Sequence, residues 1–316
     1  MKSLAAGLAW LFGFVLIGAA AMLAFCFGGL HHLGPARPVL KLIGLGAEFG
    51  LNLFALAFCF AFLPGARRPV APAKFGLGQG IWAMLGFGLV MACGGLLFVN
   101  ILAVEDFILA LHHSPARVDF SGHAFLLGSA LAGEAAAALW VSWYLRRQGH
   151  QRLTDGSASG IAWRAAPPAA YPAAAFCALA IVVLVMLLYH FVPPDFQKLQ
   201  NLPIEKLFSG SGLSILPLLL VVVFIGPVLE EFVFRGIAFA GLATRLGPLW
   251  AGIITTLAFM AAHAPEKIHY LPGFIDVGLV AATAAYLRVK CRSIRPGILL
   301  HILYNVGSTL VASLLA

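Results

Sequence analysis

The sequence predicts an all-α, polytopic transmembrane helical bundle of about nine spans, with eight as the alternative count and the N-terminus inside. Three observations predict it. Of 316 residues, 61% are hydrophobic and 10% are charged, against about 25% charged in a soluble domain. Mean hydropathy is +0.96, and a soluble globule of this size lacks the interior to hide so much apolar surface. The apolar residues gather in runs near the ~20 residues that cross a hydrocarbon core as a helix, without the alternation of a transmembrane barrel. Disordered and fibrous classes are excluded on the same composition. The formal charge of +8 is scattered between apolar runs and forms no stripe, so nucleic acid is not an expected partner.

The runs follow in order. Residues 4–30, behind Met1 and Lys2, are too long for a signal-peptide core and read as a first span. Residues 39–63 lie between Arg37 and the Arg67-Arg68 pair, and 78–104 begin after Lys74. Residues 121–145 end at Arg146 and Arg147, and 169–192 begin after a polar stretch that closes at Pro168. Four further runs, 213–241, 248–264, 273–288 and 296–315, are interrupted by polar residues. The first of these is long for a straight span, and a break is expected near Gly226-Pro227. With the N-terminus inside, 13 of the 20 cations fall on inner segments and six on outer loops or span edges; Arg235 alone falls inside a span. That is the bias of the positive-inside rule.

Composition divides the chain into a four-span N-terminal region over residues 1–150, of no assigned role, a polar inner loop over 151–168, and a five-span membrane domain over 169–316. No motif of the first part repeats in the second, which counts against a transporter built from two related halves. The five cysteines form no CxxC, which counts against an oxidised scaffold or a cysteine zinc site.

Ionisable residues inside spans cost several kcal/mol and are functional suspects. Five acids qualify: Glu48, Glu134, Glu230, Glu231 and Asp276. Glu48 can bond Asn52 one turn on, and Glu134 sits beside an alanine-rich face suited to close helix packing. The dense cluster is Glu230-Glu231-Phe232-Val233-Phe234-Arg235. Glu231 and Arg235 stand at i and i+4, acid first, the better order for an ion pair. Glu230 then points about 100° away around the helix, without a sequence-local cation. An unpaired carboxyl group in an apolar medium can exchange a proton near neutrality, as a general base must. A plain helix-end polar cluster is the competing account.

Two more placements follow. Phe259-Met260-Ala261-Ala262-His263 puts a ring and a histidine one turn apart, and His301-Ile302-Leu303-Tyr304-Asn305 puts an imidazole and an amide on one face. Singly, His263 reads as a packing residue and Asn305 as helix glue. Counted at ~1.5 Å per residue from the inner ends of their runs, Glu230 lies ~17 Å deep, Asn305 ~14 Å, His301 ~8 Å and His263 ~23 Å.

Glu-Glu-x-x-x-Arg, Phe-x-x-x-His and His-x-x-x-Asn, in this order and with the Ser293-Ile294-Arg295-Pro296-Gly297-Ile298 lead-in, resemble the motif set of the CPBP (CAAX protease and bacteriocin-processing) family of intramembrane endopeptidases, related to the CAAX prenyl endopeptidase. The resemblance covers roughly residues 210–310. It implies that Glu230 activates a water, that His263 binds or polarises it, that His301 orients it or stabilises the intermediate, and that Asn305 donates to the oxyanion. Glu231, Arg235 and Phe259 would be supporting residues. No cofactor is expected. A divalent metal such as zinc remains the alternative, with Glu230, His263 and His301 as ligands, although the two-histidine face of His-Glu-x-x-His is absent.

The expected function is therefore hydrolysis of a peptide bond in a membrane-associated peptide or protein, with a C-terminal processing tail as one substrate form. The lipid bilayer is the other partner, and the location is a cell membrane, multi-pass, of the bacterial inner-membrane kind. The alternatives are a non-enzymatic immunity or scaffold protein of the same fold and a proton-coupled carrier using the same acids.

Overall fold

The computed structural model describes residues 38–62, 75–114, 118–120, 122–148, 150–194 and 216–315; the expected span 4–30 lies outside them. Nine helical runs carry the described chain: α1 Pro38–Phe62, α2 Leu77–Leu111, α3 His123–Gln148, α4 His150–Thr154, α5 Ala170–Phe191, α6 Leu216–Ala262, α7 Ala264–Lys267, α8 Gly273–Cys291 and α9 Arg295–Leu315. No strand occurs among the described residues. Five of the runs are long and apolar enough to cross a membrane: Leu42–Phe60 within α1, then α2, α3, α5 and α6. Large apolar side chains face outward, as Phe176 at 72% exposure and Leu179 at 62% do on α5. That is the inverse of a soluble surface and suits contact with lipid.

Within the described residues, each expected span from 39–63 onward falls on a helix. α6 holds two of them, 213–241 and 248–264, joined at Gly247, whose φ of 79° and ψ of 167° are non-helical. Pro248 disfavours helical backbone in the residue before it, and glycine alone takes the positive φ without strain. The break expected at Gly226-Pro227 does not occur: Gly226 keeps φ −52° and ψ −56°. The chain instead widens into π-helix over Val221–Ile225, returns to α-helix over Gly226–Glu231, and widens again over Phe232–Ala238. The wider turn relieves the clash of a proline ring with the preceding turn while the chain stays helical.

By contact, the described residues form two compact units, one drawn from 38–62 and 89–137 and the other from 75–88 and 138–315. In the first, small residues let helices touch: a Cβ on Gly94 would lie 2.6 Å from the Ala136 Cβ, and one on Gly133 2.8 Å from the Met91 carbonyl oxygen. The Asn52 amide donates to Asn100 Oδ1 at 2.7 Å, a polar link between α1 and α2.

In the second unit, α5 packs Ala174, Ala178, Ile181 and Val185 against Val280 and Leu287 of α8 and Leu300 of α9. The polar stretch after α4 also belongs to this unit, with Ile161 and Ala162 fully buried. The start of α2 meets α6 where Gly80 faces Gly241; a Cβ on Gly241 would stand 2.7 Å from the Gly80 Cα and from the Gly76 carbonyl. Those contacts are backbone, which cannot swing aside. Gly241→Leu is therefore expected to lower stability by about 1–3 kcal/mol or more, read as an earlier unfolding midpoint in detergent, whereas Gly46→Leu, with open space around it, should leave the midpoint unchanged.

Candidate active site

The acidic motif is carried on the α-helical turn between the two π segments. The Glu231–Arg235 pair read from the i, i+4 spacing forms, with Arg235 Nη1 3.2 Å from Glu231 Oε1 and both side chains fully buried. The contact is an ion pair rather than an aligned hydrogen bond. The guanidinium also lies over the Phe259 ring, 4.5 Å from its centroid, a favourable placement for a desolvated cation. Phe259 touches Phe234 edge-on at 5.1 Å, so aromatic faces enclose the pair.

His301, early in α9, stands between the two glutamates. Its Nδ1 is 3.3 Å from Glu231 Oε1 and its Nε2 is 3.7 Å from Glu230 Oε2. His301 and Glu231 are buried, while Glu230 keeps 19% of its side chain exposed. With Nδ1 turned to Glu231, the other ring nitrogen, Nε2, is the one that faces Glu230. Gly297, one turn earlier, permits this approach: a Cβ there would meet Glu231 Oε2 at 3.2 Å. The ~9 Å difference in depth reckoned for Glu230 and His301 at ~1.5 Å per residue does not keep the two side chains apart.

His263 ends α6. Its ring lies 4.5 Å from Phe259, which is itself 5.7 Å from His301. Its Nδ1 faces the Phe259 carbonyl oxygen at 2.9 Å, which leaves Nε2 for other partners. Among the described residues, no three His, Cys, Asp or Glu side chains are grouped as a metal-holding set.

Asn305, one turn beyond His301, donates from Nδ2 to the Val222 carbonyl at 2.8 Å. That carbonyl lies in the first π segment. The Gly226 N–H, its α-helical partner, bonds Val221 instead, and its π-helical partner would be Pro227, which has no N–H. The amide therefore replaces a backbone donor that proline removed, and its second N–H remains for another acceptor. Asn305→Ala is expected to cost about 1–3 kcal/mol by orphaning the carbonyl. Pro227→Ala, which returns an N–H, should recover part of that loss in the double variant. Strictly additive losses in a denaturant titration would show that the two do not share the carbonyl.

Asp276 lies in a separate polar knot: Lys267 Nζ at 3.1 Å, and the hydroxyls of Tyr304 at 3.2 Å and Tyr189 at 3.4 Å, all meet its Oδ2. These bonds tie α5, α7, α8 and α9 together. Tyr270 donates to the Val192 carbonyl, and burial followed by the Asp276 charge raises its hydroxyl above the ordinary tyrosine value. Arg288, counted from sequence among the inner topology-setting cations, is instead 1% exposed. No sequence signal separates it from the cations around it, since it stands at the end of an apolar run as they do.

Helices long enough to cross a membrane and a buried Glu–His–Arg constellation define a multi-pass helical membrane protein. Residues 212–307 match the family model described as Rce1-like, Type II CAAX prenyl endopeptidase Rce1-like. Over that segment the chain is related to the CPBP and CAAX protease group, and the relation indicates a peptidase. No curated protein and no solved structure matches the chain.

Proposed function

We propose that this protein is a glutamate-dependent intramembrane endopeptidase that cleaves a membrane-associated peptide or protein, within or beside a C-terminal processing tail. The observation that carries the proposal is His301 held between Glu231 and Glu230. At 3.7 Å, Nε2 and Oε2 are too far apart for a direct hydrogen bond, yet both can bond one water beside the line between them. Glu230 takes the proton of that water as it attacks the scissile carbonyl. His301 directs the water's lone pair, and its proton on Nδ1 stays with Glu231. His263 offers Nε2 as a further polarising contact, and the free N–H of Asn305 donates to the oxyanion. Glu231, Arg235 and Phe259 hold the constellation in place.

Water activation without a metal is part of the proposal; a metal alternative would use Glu230, His263 and His301 as ligands. The family name speaks of prenylated CAAX tails. For this chain the substrate class proposed is the broader one, and the location a bacterial inner membrane. Comparative peptide mass spectrometry of membranes with and without the protein tests the function, with a chelator arm for the metal. New C-terminal fragments that depend on the protein and survive chelation support the proposal. Their absence, with proton flux in liposomes that depends on Glu230, would support a carrier instead.

A further inference from the structure

We infer, taking the proposed protease activity as given, that Arg288 is a positioning residue that locks the glutamate-bearing segment of α6 into its π-helical register and ties it to the polar loop after α4. Arg288 lies on α8, 53 residues from the motif, and its guanidinium is buried. Nε donates to the Arg235 carbonyl at 3.2 Å. Nη2 donates to the carbonyls of Ser157 at 2.8 Å and Gly160 at 2.7 Å. One planar fork therefore binds three carbonyls on two backbone segments, a geometry that lysine cannot reproduce.

The π-helix takes the α-helical donor away from the Arg235 carbonyl. In an α-helix it would accept from the Phe239 N–H, but that N–H goes to Phe234 and Gly236. The same situation holds at the other end of the short α-helical turn, where Asn305 takes the Val222 carbonyl. Side chains from α8 and α9 thus hold both π segments that flank Glu230 and Glu231. A π segment that relaxes to α-helix rotates the residues on one side of it by about 100° relative to the other. That rotation would turn the carboxylates away from His301.

The loop is built to receive the fork. Asp155 accepts from the Ser157 N–H and hydroxyl, each at 2.8 Å, which shapes the turn. A Cβ on Gly160 would meet the Asp155 side chain and backbone, so the turn closes only around glycine. Beyond it, the Ile294 N–H donates to the Ala162 carbonyl at 3.1 Å, and the Ser293 hydroxyl to that of Arg164 at 2.6 Å. Ile161 rests against Gly236, where a Cβ would come within 3.0 Å. The loop is therefore a fixed strap between the α8–α9 junction and the second π segment.

The test compares Arg288→Gln and Arg288→Lys with the parent, in detergent, on a synthetic peptide copied from the sequence cleaved in membranes. Arg288→Gln is expected to lower kcat about 10²-fold with KM little changed, the effect of misplacing a catalytic group by about an ångström. Arg288→Lys should restore part of the rate. Hydrogen–deuterium exchange supplies a readout free of activity: amides of residues 232–240 should exchange faster in both variants while those of α5 do not. A lowered unfolding midpoint with unchanged kcat per folded molecule and uniform exchange would overturn the inference and make Arg288 merely structural. Glu230→Gln runs alongside. If it cleaves normally the assignment of Glu230 as the general base fails, and the exchange comparison still decides the role of Arg288.

Discussion

Glu230→Gln is expected to abolish cleavage while the bundle stays folded. The substitution keeps the size and hydrogen-bonding reach of the side chain but removes its ability to accept a proton from water. General-base catalysis contributes roughly 10²–10⁴-fold, so the residual rate should fall below detection in a membrane assay. Stability should change little, because Glu230 is the more exposed of the two glutamates and the buried 3.2 Å contact with Arg235 is made by Glu231. The measurement has two arms, product peptides by mass spectrometry and the unfolding midpoint of the purified variant. Undiminished cleavage would remove Glu230 from the chemistry; lost cleavage with a collapsed midpoint would show that its role is to hold the fold.

The helical class and most spans are legible in the sequence because lipid imposes one rule on every residue of a span: backbone polar groups must be satisfied within the segment. Length and apolarity then locate helices from 39–63 to 296–315 without tertiary information. Local spacing also resolves the Glu231–Arg235 pair, since i and i+4 meet on any helix. What spacing cannot give is the register between distant helices. His301 meets both glutamates across some seventy positions, and nothing in either motif says that one ring should bridge two carboxyl groups.

Gly226-Pro227 reads as a break because proline removes a donor, yet π-helix and the Asn305 amide together absorb the loss. Arg288 reads as an interfacial cation because sequence gives charge and depth, but not the three carbonyls that converge on it. The polar loop reads as a seam for the same reason: its glycines and serines supply backbone carbonyls and tight turns, which composition scores only as solvent-seeking.

The second large effect concerns stability. Glu231→Gln leaves the Arg235 guanidinium buried without its counter-charge, and Arg235→Met does the same to Glu231. Removing one partner of a buried pair costs about 3–5 kcal/mol, much of it the desolvation of the charge left behind. The double variant Glu231→Gln/Arg235→Met buries no such charge, and an apolar replacement of similar volume packs against Phe259 and Phe234. It should therefore recover most of the loss, short of the ~1–2 kcal/mol of cation–ring attraction given up with the guanidinium. Activity should follow a different order. The amide oxygen that Glu231→Gln introduces can still accept from His301 Nδ1, so the ring of the double variant keeps its tautomer but loses the charge that favours a proton on it. The double variant is thus expected to be nearly as stable as the parent and slower in cleavage, a split that separates the pair's structural role from its chemical one. A cycle run in graded denaturing-detergent titrations measures the first, and kcat on the same preparations the second. If Arg235→Met alone proves neutral, Glu231 takes its counter-charge from His301 instead, and the imidazole, not the guanidinium, is the cation that the buried carboxylate was built to meet.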